Sequence, residues 1–182
     1  MPLRTRPATT DDIDPLAALA ALTFPLACPP GSTAADQQQF VAAVLSPARF
    51  AEYLADPSRA LLVAVDDEPG DQRAPLLGYT MLVEGEPTDD DVRVALTIHP
   101  TIELSKCYVH PDHHGAGVAH RLMTASLDVA RDRGAHGMWL GVNQQNARAQ
   151  AFYTRAGFAV VGTKHFTVGT RVEDDYVLER PL

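Results

Sequence analysis

The stretch His110 to His120, HPDHHGAGVAH, constrains the chain more than any other, because it must end one kind of structure and begin another. Upstream, IELSKCYVH reads as a strand in which Leu104 and Tyr108 share a face. Downstream from Val118, the residues Leu122, Ala125, Leu127, Val129 and Ala130 support a helix that stops at Gly134. A strand, a glycine-bearing loop and a helix follow one another without slack, and four of the chain's seven histidines crowd the loop.

Two chemistries compete for that loop. A metal site would draw His110, Asp112, His113 and His114 to one point. A phosphate cradle would use Gly115 and Gly117, which let backbone N–H groups turn outward, together with the positive end of the following helix. The cradle accounts for more residues, Pro111 and both glycines included, and no metal is expected.

The rest of the chain sets the surroundings. Leu3 to Arg6 reads as a short strand, followed by a helix with Thr10 as its cap and Ile13, Leu16, Ala20 and Phe24 on its apolar face. FPLACPPGSTAAD reads as a breaker-rich loop, QQQFVAAVL as a helix, and SPARFAEYLAD as another with Ser46 as cap and Pro47 at its first position. ALLVAV and LLGYTMLVE form an expected antiparallel pair turned by DDEPGDQRAP; EGEPTDDD reads as an exposed acidic loop and VRVALTI as a short extended segment. GMWLGV, the helix NARAQAFYTRA stopped by Gly157, and the strands AVVGTKHFTV and DDYVLERPL complete the order. This implies an α/β or α+β fold, a mixed sheet with helices on its faces, with residues 1–182 as one domain.

Composition narrows the function. The formal charge is -8, which argues against a nucleic-acid partner and mildly favours a cationic substrate. Cys28 and Cys107 form no CxxC pair or disulfide framework, the start lacks a signal-like apolar region, and no apolar run approaches the roughly 20 residues of a membrane span. A cytoplasmic protein without membrane association is expected.

YVHPDHHGAGVAHRLM followed by NARAQAFYTRAGF resembles the GCN5-related N-acetyltransferase (GNAT) superfamily. Gly117 and Ala119 fill the last two fixed positions of that family's loop motif, and His114 stands where Arg or Gln is usual. The resemblance is densest from Glu103 to Phe158, with IELSKCYVHP and DDYVLERPL most similar to bacterial polyamine (spermidine/spermine) acetyltransferases. It implies a mostly antiparallel sheet of six to seven strands, helices on both faces and a splayed central strand pair. The implied cosubstrate is acetyl-CoA, its pyrophosphate held by the amides of Gly115, Ala116, Gly117, Val118 and Ala119, with His114 beside them.

The resemblance also distributes the chemistry of moving an acetyl group from a thioester to an amine. The Val109 N–H is the oxyanion donor, Tyr153 the acid toward the leaving thiolate, and Glu103 the base, acting through water. Against these stand plainer roles: core packing for Tyr153 and an ordinary strand-end carboxylate for Glu103. Asn146 either caps its helix or bonds the pantetheine, and Tyr108 either lines the channel or packs. Cys107 lacks His and acid partners fixed by the motif, which favours direct transfer. The expected acceptor is a small primary amine, a polyamine among the candidates. A peptide or protein amino group, and a non-catalytic acyl-CoA sensor, stay open as alternatives, and the oligomeric state is open, a homodimer included.

Overall fold

The computed structural model describes residues 3–66, 74–168 and 171–182. Strands β1 (Leu3–Pro7), β2 (Arg59–Asp66), β3 (Leu76–Glu84), β4 (Thr101–Val109), β5 (Gly137–Asn143), β6 (Ala159–Val168) and β7 (Arg171–Pro181) make a single seven-stranded sheet. Its order is β1-β2-β3-β4-β5-β7-β6, and every neighbouring pair is antiparallel except β4 with β5. The expected mixed, mostly antiparallel α/β sheet is therefore present. Residues 67–73, most of the expected β2–β3 turn, lie outside the described residues.

Helices cover both faces. The helices α1 (Ile13–Ala27), α2 (Ala34–Val44) and α3 (Pro47–Ala55) lie on one. Leu16, Ala20, Phe24 and Phe50 pack there against Val63, Tyr79 and Met81. On the other, α5 (Val118–Asp132) buries Met123 and Leu127 against Leu104, Met138 and Leu140, and the half-buried Phe152 of α6 (Ala147–Arg155) packs on the same cluster. Shortening a fully buried leucine such as Leu122 to alanine costs about 2–5 kcal/mol at sites of this kind. None of the described helices is long and apolar enough to cross a membrane.

Local chemistry explains where the elements depart from the sequence reading. The first helix is not capped at Thr10: a single 3-10 turn, Thr10–Asp12, precedes α1. The Asp12 carboxylate accepts from the Thr9 N–H at 2.7 Å and from Arg6 at 2.7 and 2.9 Å, fixing that turn to β1. At its far end α1 runs through Pro25 to Ala27, one turn into the expected loop. Phe24 stacks on Phe40 of α2 at 4.4 Å, which keeps this turn docked.

VRVALTI is not extended. Asp90–Ala95 form a short helix, α4, because Asp89 accepts from the N–H groups of Asp91 and Val92 at 2.9 and 3.4 Å. A good cap outweighs the strand preference of two valines.

A bulge in β4 matters more. Met81 pairs with Lys106 but Leu82 pairs with Leu104, so Ser105 is an extra residue and the alternation of faces resets there. Leu104 packs under α5, whereas Tyr108 stacks on Tyr79 at 5.6 Å beneath α1. The two do not share a face, contrary to the unbroken period-2 reading. Glu103, Lys106 and Tyr108 now look toward α1–α3.

Candidate active site

The parallel seam between β4 and β5 is short. It pairs Thr101 with Gly137, Ile102 with Met138 and Glu103 with Trp139, and then stops. Beyond it, Leu104–Val109 and Leu140–Asn143 diverge into a fork. The hydrogen bonding of β3 shows which backbone groups face the gap. The His110 N–H donates to the Leu77 carbonyl at 2.8 Å, so in this antiparallel ladder Gly78–Val109 and Thr80–Cys107 are non-hydrogen-bonded pairs. The N–H and C=O groups of Cys107 and Val109 accordingly point away from β3, into the fork.

The loop after β4 supplies the cradle. Gly115 and Gly117 both have φ of +84°, and a Cβ on either would meet no atom within 4 Å. Both face open space in a backbone conformation that other residues rarely adopt. Gly117 leads directly into α5, whose first N–H groups have no intrahelical acceptor. His114 ties the loop to the end of β4, its Nε2 lying 3.1 Å from the Val109 carbonyl.

A cavity of about 520 Å³ joins fork and loop. Tyr108, Val109, His114, Gly115, Gly117, Val118, Ala119, Asn146 and Tyr153 all line it. Ala116 does not; its N–H turns back to the His113 carbonyl at 3.3 Å, which leaves its four neighbours as the outward amides. The rings of His110 and His113 meet edge-on at 5.6 Å, but His114 turns to another partner. His110 accepts from the Asp112 N–H at 3.3 Å, while His114 bonds Val109. Among the described residues no three His, Cys, Asp or Glu side chains are grouped to hold a metal ion.

Tyr153 packs against its neighbours and also reaches the cavity. Its ring sits edge-on to Phe152 and Phe158, at 5.3 and 5.9 Å, and it also lines the cavity beside Cys107. Burial pushes its phenol well above the ordinary range, so it holds its proton. Burial likewise pushes the Cys107 thiol up to about 12, with the Tyr153 hydroxyl pulling the other way. Asn146 caps α6 through Oδ1, which accepts from the Ala149 N–H at 3.1 Å, and still borders the cavity.

Glu103 stands apart from these residues, at the root of the fork on the α1–α3 face. Burial raises its pKa, against the opposing fields of Lys164, Lys106 and Arg59. Lys106 is lowered to about 8 by burial, with Glu103 opposing and Arg59 adding to the fall. Its Nζ lies 5.4 Å from the centre of the Tyr53 ring, and Arg59 approaches the same ring at 4.8 Å. On β7, Asp175 is raised to about 6, burial again leading. Sequence reasoning missed Lys106, Arg59, Lys164 and Asp175, which come from four strands and share no local pattern.

A strand fork lined by backbone groups turned away from β3 thus leads to a glycine loop at a helix N-terminus, an arrangement suited to an extended ligand with an anionic end. The Acetyltransferase (GNAT) family model matches residues 27–158, and the chain belongs to that family. It is an N-acetyltransferase with acetyl-CoA as cosubstrate. The outward amides, the open glycines and the cavity volume fit such a molecule.

An uncharacterised N-acetyltransferase of Mycobacterium tuberculosis (strain H37Rv) is 47% identical over 171 residues, covering 94% of this chain and 98% of the relative. An L-amino acid N-acyltransferase of Escherichia coli K12 is 36% identical over 102 residues, covering 49% of this chain and 59% of the relative. Among solved structures, the PaiA N-acetyltransferase of Thermoplasma acidophilum in complex with coenzyme A superimposes with a TM-score of 0.77 over 100% of both chains at 16% identity.

Proposed function

We propose that this enzyme transfers the acetyl group directly to the primary amine of a small cationic acceptor, of the polyamine type, in the cytoplasm. One observation carries the reading: the fork separates a donor side holding a protonated phenol, Tyr153, from an opposite side holding a raised carboxylate, Glu103. Tyr153 lines the cavity on one face of the sheet, and Glu103 sits on the other face at the last paired position of the seam, where the fork begins.

In this reading the acceptor enters beneath α1–α3, and Glu103 takes a proton from its ammonium through water. The freed nitrogen attacks the thioester carbonyl. The oxygen that gains charge is held by the Val109 N–H, which faces the gap. As the carbon–sulfur bond breaks, the Tyr153 hydroxyl donates its proton to the departing thiolate. A covalent acetyl-cysteine is disfavoured, since a thiol titrating at about 12 is almost wholly protonated near neutrality. Direct transfer needs no such intermediate.

Support for a cationic acceptor comes from the net charge of -8 rather than from the motif. On the acceptor side Glu103, Glu173 and Asp175 stand among Lys106, Arg59, Lys164 and Arg171, so it is the buried carboxylate oxygen left without a donor among the described residues, on Asp175, that favours a cation there. The test is calorimetric titration with acetyl-CoA, followed by free-thiol release with polyamines, aminoglycosides, amino acids and short peptides. Donor binding with release fastest for di- and polyamines is expected. Release with peptides alone would replace the acceptor, and binding without release from any amine would favour the sensor.

A further inference from the structure

Three carboxylates on β7, Glu173, Asp175 and Glu179, are buried, and the strand's alternation puts all of them on the face that looks toward the acceptor side. Two have structural partners. Glu179 accepts from the Thr97 N–H and hydroxyl and from the Ile98 N–H, at 2.7 to 3.2 Å. Glu173 accepts from Arg171 Nε at 3.1 Å. Asp175 differs: its Oδ1 is buried and accepts no hydrogen bond among the described residues. The Asn143 amide lies close enough to stabilise the carboxylate, yet not in bonding geometry to Oδ1.

Lys164, the register partner of Asp175 on β6, does not neutralise it by contact. Its Nζ lies over the rings of Trp139 and Phe166, at 5.8 and 5.9 Å, and among the described residues it forms no ion pair with Asp175. A buried carboxylate oxygen without a protein donor is costly, and a donor brought by solvent or by a ligand relieves it.

The location favours a ligand. Asp175 pairs with Asn143, the last residue of β5, at the open end of the fork. Its charge is felt at the Tyr108 hydroxyl on β4, across the gap. Exposed Gly141 of β5 lies directly against both side chains: a Cβ there would stand 3.4 Å from Asp175 Oδ2 and 3.0 Å from Lys164 Cε, so only glycine lets the two approach the strand this closely.

We propose that Asp175 is a specificity-determining residue that binds a cationic nitrogen of the acceptor at the mouth of the fork. The proposal rests on the cationic-amine reading above. The incoming ammonium supplies the donor that Oδ1 lacks, forming a charge-assisted hydrogen bond.

Steady-state thiol release with spermidine as probe, at saturating acetyl-CoA, tests this on the full chain. Asp175→Asn should raise the KM for spermidine about tenfold or more, leave the Kd for acetyl-CoA within about twofold, and be rescued in large part by Asp175→Glu. Unchanged donor affinity shows that the variant is folded. A spermidine KM in Asp175→Asn equal to wild type, with the wild-type enzyme active, overturns the role of Asp175 alone. If the wild-type protein releases no thiol with spermidine or any other cationic amine, the cationic-acceptor reading fails first and takes this proposal with it.

Discussion

The two sides of the β4–β5 fork are built from different materials. The proposed donor side offers backbone: the amides of Gly115, Gly117, Val118 and Ala119, the N–H of Val109, and two glycines with positive φ. The acceptor side uses side chains: Glu103, Lys106, Arg59, Lys164 and Asp175, none adjacent in sequence and most of them shifted by burial or by one another. A site made of backbone is specified by local conformation and suits a ligand common to a family. A site made of scattered side chains is free to change its ligand without disturbing the fold.

The sharpest way to separate the two sides is Tyr153→Phe. The ring contacts with Phe152 and Phe158 survive and only the hydroxyl is lost, so kcat should fall about 100-fold or more. Calorimetry should meanwhile find the acetyl-CoA Kd changed by less than about twofold. Unchanged turnover would return Tyr153 to a packing residue.

Gly117→Val attacks the backbone side directly. A β-branched residue at φ of +84° carries strain of about 1–3 kcal/mol, relieved by reshaping the loop, so acetyl-CoA affinity should drop about 10–100-fold. Amine KM, measured at saturating donor, should change little. An unaltered donor Kd would show that the loop does not hold the donor.

The smallest expected effect is thermodynamic and belongs to the acceptor side. Asp175 shares its face with Lys164 from β6, Glu173 from its own strand and Tyr108 from β4, and also feels the charge of Asp174 on the opposite face. Its carboxyl keeps its proton up to about pH 6 in the fold but only to about 3.8 when unfolded. Between those values the folded state binds more protons, so stability falls as pH rises through the window, and the penalty is complete above pH 6. Asp175→Asn should therefore be more stable than wild type at pH 7.5, on the order of 1 kcal/mol, with the gain fading toward pH 4. Thermal melts across that range read it out. A destabilised variant at pH 7.5 would mean that the carboxylate supports the fold.

The same contrast explains what was legible in the sequence. The strand, glycine loop and helix from Thr101 to Asp132, and α6 with its Asn146 cap and Gly157 stop, occupy contiguous residues whose conformational demands are local. Hence the cavity gathers nearly every residue expected of the donor side, Ala116 excepted. Ser105 carries no mark of a bulge, and that one residue decides whether Tyr108 joins Leu104 or Glu103. Asp175 and Lys164 meet only through the β6–β7 register, a tertiary fact with no sequence period behind it. The α4 segment failed for a smaller reason, because the Asp89 cap lay inside a run read as an acidic loop.

The short parallel seam has a further consequence. A strand with unpaired N–H and C=O groups is a template for another extended chain, and proteins usually blunt or hide such rims against aggregation. Here the rim of β4 lies inside the sheet, flanked by β5 and bordered by α6 residues that line the cavity. On the proposed reading the pantetheine arm, with amides of its own, takes the place of the missing strand. In that sense the sheet of the free enzyme is unfinished, and its substrate completes it.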